Sequence, residues 1–185
     1  QVLSTDGTGG LSWITVLTGT PNYANFAGTV VNSSQPNITS TGTLTDLTVG
    51  GNVIIQRAYE KFTTVAGNAT GTINYDILDQ SILYYSGNAT ANFTLNFRGN
   101  GTTTFNSSVP TNDTVTVVFL NTVGATSYVA NSIQIDGSNI TPKWVNGIAP
   151  TVGTRLSSAQ QSYTYTIFKT GSGTYNVLAS LSEFQ

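Results

Sequence analysis

The chain has 185 residues with a formal net charge of −2, only 8% charged positions, and no His, Cys or Met. Those absences remove the usual general base near neutral pH, the thiolate nucleophile, the soft metal ligands and any disulfide. The cations Arg57, Lys61, Arg98, Lys143, Arg155 and Lys169 stand singly, so neither nucleic acid phosphates nor an anionic membrane finds a basic patch.

Residues 1–56 read as an extended shaft. Gly and Thr punctuate them every few positions, as in Asp6-Gly7-Thr8-Gly9-Gly10 and Thr41-Gly42-Thr43, and apolar residues come in small groups such as Val53, Ile54 and Ile55. Helical spacing of apolar residues is absent, and the polar links are long for a self-contained domain. Such a segment buries too little to offset a backbone entropy of roughly 1–2 kcal/mol per residue. Three copies wound together can share one core, whereas a solvated tether has little use for Trp13 or the Val53 to Ile55 triplet. The chain does not open on Met, from which the carboxyl-terminal part of a longer protein is expected. Residues 1–10 have neither the cationic start nor the apolar stretch of a secretory signal, and no run reaches the length of a membrane span.

From residue 57 to 185 the pattern is that of a packed β domain. Residues 92–98 alternate Phe93, Leu95 and Phe97 against Asn92, Thr94, Asn96 and Arg98. Residues 114–120 carry Val115, Val117 and Phe119 on one face and Val118 and Leu120 on the other, which predicts a central strand covered on both sides. Further strands are predicted at 82–85, 132–136, 143–145, 162–169 and 174–181. Turn residues separate them: Gly99-Asn100-Gly101, Asn112-Asp113, Asp136-Gly137, Asn146-Gly147 and Gly171-Ser172-Gly173. Short strands, regular turns and no intervening helix predict an antiparallel β-sandwich or jelly-roll-like knob. The whole chain is thus expected to be all-β, an intertwined trimeric stalk followed by that knob.

Candidate sites are few. Trp144, beside Asn146 and Gly147, can stack on a sugar face while the amide bonds its hydroxyls. The plainer reading packs Trp144 on the sandwich edge and uses Asn146-Gly147 as a tight turn. The loops at 99–103, 121–127 and 146–154 are the other expected contact regions, which adds Asn100 and Thr122 as receptor-contact candidates. Asp76 and Asp79 are the closest approach to a carboxylate pair for glycoside cleavage, but nothing nearby would split their acidities. Asp113 and Asp136 already belong to turns. No run of oxygen ligands has calcium-loop spacing, so neither metal nor cofactor is expected, and the chain reads as no enzyme. The Asn-x-Thr triplets at Asn68, Asn88, Asn92 and Asn139 follow from a composition rich in both residues.

Several stretches carry a family resemblance. VLSTDGTGGLSW at 2–13 and QPNITSTGTLTDLTVGGN at 35–52 resemble segments of fibre-type structural proteins of tailed bacteriophages, those of marine cyanobacteria above all. NFTLNFRGN at 92–100, IDG at 135–137, KWVNGIAP at 143–150 and YTIFKT at 165–170 are similar to the terminal domain of such proteins. The resemblance implies a virion component, a homotrimeric fibre and a terminal β knob that attaches to a host-surface glycan or protein. The amino-terminal side is then expected to join other virion proteins, and the scattered cations and short apolar runs already speak against nucleic acid and membrane insertion. It assigns no catalytic or receptor residue. A passive capsid or baseplate decoration protein and a polysaccharide-depolymerase tip are the alternative expectations.

Overall fold

The computed structural model describes residues 2–5, 7–14, 47–154 and 158–185, and the chain divides into two units, Gln1–Ile54 and Ile55–Gln185. In the first unit β1 (Val2–Thr5) and β2 (Leu11–Ile14) pair antiparallel, Val2 opposite Ile14 and Thr5 opposite Leu11. Gly7 and Gly9 in the link between them have φ of 82° and 96°, a backbone conformation that side chains with a Cβ disfavour. Leu47, Val49, Val53 and Ile54 are exposed. Most of the expected shaft, residues 15–46, lies outside the described residues.

Among its described residues the second unit is all-β apart from one turn of α-helix and a three-residue 3-10 turn, Val145–Gly147. Its strands begin with β3 (Phe62–Asn68), β4 (Gly71–Asp76), β5 (Ile82–Asn88) and β6 (Phe93–Arg98). The short helix α1 (Phe105–Ser108) precedes β7 (Thr114–Thr122), β8 (Thr126–Ser127), β9 (Ala130–Ile135) and β10 (Ser138–Ile140). Then follow β11 (Lys143–Trp144), β12 (Gly153–Thr154), β13 (Gln160–Gly171) and β14 (Thr174–Phe184). One sheet has the order β11-β14-β13-β7-β5-β3, the other β10-β9-β6-β4, with β12 and β8 pairing separately.

The expected antiparallel arrangement requires correction, because both sheets are mixed. β3, β5 and β7 are parallel neighbours, as are β4, β6 and β9; β13 runs antiparallel to both β7 and β14. From β3 through β7 each connection sends the chain to the other sheet instead of back along the same one, whereas β9 and β10 form a tight hairpin within the smaller sheet. Strand pairs therefore stack as successive turns of a flattened coil, and the long β13–β14 hairpin completes the larger sheet. The stacking has a sequence counterpart. Gly67-Asn68-Ala69-Thr70 at the β3–β4 corner returns twenty positions later as Gly87-Asn88-Ala89-Thr90 at the β5–β6 corner. Ala69 and Ala89 are both buried, and the Thr90 amide donates to the Ala69 carbonyl at 3.4 Å. A bulge interrupts the ladder just before Asn68 in β3 and just before Asn88 in β5.

The sheets share one core. Leu95, Phe97 and Ile135 of the smaller sheet join Val117, Phe119, Tyr163, Tyr165 and Ile167 of the larger. Aromatic pairs bridge the layers: Phe93 to Phe119 at 5.5 Å and Phe97 to Tyr165 at 5.1 Å between centroids. At one end of the core the Asp136 carboxylate accepts the backbone N–H of Phe105 at 2.7 Å and of Asn106 at 3.0 Å, fixing α1. Buried Lys169 donates to the carbonyls of Asn106 and Val109. β7 is central in its sheet, but only its inward face joins the core; Val118 and Leu120 are half-buried and stand outside the core cluster.

Candidate functional site

Trp144 sits where the edge of the larger sheet meets an irregular segment. β11 is only two residues long and pairs parallel with β14, Lys143 opposite Leu178 and Trp144 opposite Ala179. In-plane alternation then turns Trp144 to the core side. Its ring meets those of Tyr163 and Tyr165 edge-on, with centroids at 6.4 and 6.0 Å and interplanar angles of 71° and 70°. Tyr163 and Tyr165 stack on each other at 6.3 Å and 5°. Trp144 therefore caps an aromatic ladder and stays half-buried.

A tight turn follows at once. Asn146 has φ of 57° and Gly147 of 71°, the left-handed region that Asn and Gly accept most readily. The turn exposes Asn146, and leaves Val145 59% and Ile148 73% exposed. Trp144 lines at least three depressions, of which two are the more polar. The first, of about 380 Å³, brings in Asn131, Ser132, Asn139 and Thr141. The second, of about 330 Å³, brings in Asn146, Thr151, Ser180 and Glu183. An aromatic wall with amides, hydroxyls and one carboxylate suits neutral, hydroxyl-rich ligands, and these volumes are of small-ligand size.

A buried polar chain backs the second depression. Gln161 is fully buried, and its amide donates to the Ser127 hydroxyl at 2.7 Å and to Glu183 Oε1 at 2.9 Å. The Tyr163 hydroxyl donates to Gln161 Oε1 at 3.1 Å and accepts from the Ala130 amide at 3.2 Å. Glu183 is thereby fixed by groups that cannot reorient without loss of hydrogen bonds. Burial pushes the Tyr163 and Tyr165 hydroxyls above the ordinary phenol value of 10.0, so both stay neutral at physiological pH.

The other expected contact residues lie apart from Trp144. Asn100 is half-buried in the loop after β6, and its Oδ1 accepts from the amides of Thr102 and Thr103, both at 2.9 Å. That carbonyl is spent on its own loop. Asn100 lines a separate depression with Asn96, Arg98, Thr104 and Asp136, none of which lines the Trp144 depressions. Thr122 offers no surface. It is 8% exposed, and its hydroxyl is 2.8 Å from that of Tyr84. Residues 121–123 are buried as a whole, because this corner continues the stack begun at Ala69 and Ala89.

Of the two carboxylates weighed for glycoside cleavage, that of Asp76 is committed. Asp76 ends β4 and ion-pairs with Arg98 through Nε and Nη2, the latter at 3.1 Å, and the Asp79 amide donates to the Asp76 carbonyl in the following turn. Among the described residues no group of three or more His, Cys, Asp or Glu side chains could hold a metal, and no helix is long and apolar enough to cross a membrane. Glu183 and the polar network behind Trp144 were missed at the sequence level; Glu183 stands near the end of the chain with no motif around it. No protein-family model, curated protein or solved structure matches this chain.

Proposed function

We propose that this chain is a non-enzymatic attachment component of a phage particle, the end of a fibre that binds a host-surface glycan or protein. Its copies associate, as a homotrimer in this reading, and the amino-terminal side joins other virion proteins. Three equivalent sites gain avidity from weak individual contacts. The fibre setting comes from the sequence resemblance; the observation that carries the binding reading is the Trp144 ring, braced edge-on by Tyr163 and Tyr165 beside amide, hydroxyl and carboxylate groups. Neutral polar lining and low overall charge favour hydroxyl-rich over ionic ligands.

A passive decoration role has one observation in its favour: Trp144 is half-buried and engaged in packing, as a purely structural Trp would be. Glycan-array binding by the full chain separates the readings. Attachment predicts saturable binding that falls roughly tenfold in Trp144→Phe, on the scale of an aromatic contact residue, and also weakens in Asn146→Gly, which keeps the turn and removes the amide. No binding to any glycan or host-surface protein leaves the passive role, and release of new reducing ends identifies a depolymerase.

A further inference from the structure

Three depressions that Trp144 lines follow one another around its side chain. The first and second share Trp144, Ala149 and Pro150 as walls. The second and a third, of about 290 Å³, share Trp144, Val145 and Ser180. The second therefore stands in the middle, joined to each neighbour by common walls. β11, which carries Trp144, is the outer strand of its sheet, so no further strand of that sheet closes the succession. Each depression brings its own hydrogen-bonding group: Asn139 in the first, Asn146 in the second, Thr166 in the third.

Size and charge narrow what such a succession takes. Each depression lies near the lower end of ligand-site volumes, about 300 Å³, which suits a small ring-sized unit better than a long chain folded on itself. Among the described lining residues, Glu183 of the second and Lys143 of the third carry charges of opposite sign. A chain of uniform charge gains at one and loses at the other, whereas a neutral chain meets neither penalty.

We propose that Trp144 is the centre of an extended track for a linear neutral oligosaccharide of about three or more units, rather than a pocket for a single terminal sugar. With β11 at the sheet edge, an internal stretch of a long polysaccharide can lie across the track. Once one unit is seated, the next binds as an intramolecular event, so affinity climbs with length until the depressions are filled. The inference deepens the attachment reading by naming the form of the ligand, and rests on that reading for the ligand being a glycan.

Isothermal titration calorimetry of the full chain tests this with linear gluco-, manno- and galacto-oligosaccharides and size-fractionated fragments of bacterial exopolysaccharide, from single sugars to hexasaccharides. Oligogalacturonates of the same lengths provide the anionic comparison. Wild-type affinity is expected to rise roughly tenfold or more between the single sugar and the trisaccharide of the preferred series, then to level off. Asn139→Ala and Thr166→Ala, at opposite ends of the track, are each expected to weaken hexasaccharide binding roughly fivefold, the scale of one hydrogen bond. Each should also flatten the rise with length while leaving the far-ultraviolet circular dichroism spectrum unchanged. Lys143→Ala, at an exposed position of the same depression, replaces Thr166→Ala if that variant does not fold. Affinity that is indifferent to length, hexasaccharide binding that ignores both end variants, or tighter binding of the oligogalacturonates overturns the proposal. Trp144-dependent binding of a single sugar with no gain on lengthening defeats this inference alone; absence of binding by any glycan at any length defeats the glycan-attachment reading with it.

Discussion

Tyr163 and Tyr165 occupy the same face of β13, stack on each other, and differ in what their hydroxyls meet. The Tyr163 hydroxyl bridges Gln161 and the Ala130 amide, whereas the buried Tyr165 hydroxyl has no hydrogen-bond partner among the described residues. An unpartnered buried hydroxyl carries its desolvation cost without return. Tyr165→Phe is therefore expected to hold stability level or raise it by about 1 kcal/mol, while Tyr163→Phe lowers it by about 1–3 kcal/mol by stranding two partners. Urea denaturation of the two variants checks the contrast. The same burial sets a pH dependence. Desolvation raises the Tyr75, Tyr163 and Tyr165 hydroxyls above the ordinary value of 10.0. A group raised in the folded state contributes stability that is whole below its unfolded value and is lost as pH rises through the folded one. With no His to titrate, the thermal midpoint is expected to stay flat between about pH 6 and 9 and to fall above about pH 10. The tyrosinate absorbance of the buried rings should appear only as the chain unfolds.

The corner repeat gives the elements a sharper test. A Cβ at Gly87 would lie 2.5 Å from Asn68 Oδ1 and 2.8 Å from the Gly67 carbonyl oxygen, because β3 presses against β5 there. At the equivalent Gly67, on the outer strand, a Cβ would meet only Val65 at an ordinary 3.6 Å. Gly87→Ala is thus expected to cost about 2 kcal/mol or more, on the scale of overpacking, and Gly67→Ala to change stability little. Equal effects in the two variants would contradict the stacked arrangement. The repeat was present in the sequence, yet Asn68 and Asn88 drew notice there only as glycosylation-type triplets. Strands rich in alternating aromatics, such as β6 and β13, were legible because one face is buried and the other wet. β3 and β4 were not, since Thr, Gly and Asn dominate them and apolar residues are sparse. Direction was hidden for a different reason. Gly- and Asn-containing corners look alike whether they fold a strand back beside itself or send it to the opposite sheet. Only the long-range pairing of β3 with β5, and of β4 with β6, distinguishes a hairpin from an arch.

For the molecule as a whole, the all-β character, the shared core and the tight turn at Asn146-Gly147 could be anticipated from periodicity and turn chemistry. The candidate site was legible only at Trp144 and Asn146. Asn100 and Thr122 were chosen as loop residues; the first lines a separate depression with its Oδ1 engaged in its own turn, and the second is enclosed by the stack. Glu183, held by Gln161, belongs to the depression only through a strand pairing that no local pattern announces. The braced Trp144 surface is the proposed place where a host surface is engaged, and association of copies the proposed source of avidity. An adsorption isotherm of the labelled full chain on intact bacterial cells, marine cyanobacteria included, tests this most directly when wild type and Trp144→Phe are run side by side. The account predicts saturable uptake by the wild type on susceptible cells and roughly tenfold weaker uptake by the variant at equal oligomeric state. Adsorption that is absent from every cell type, or that is indifferent to Trp144, would contradict it.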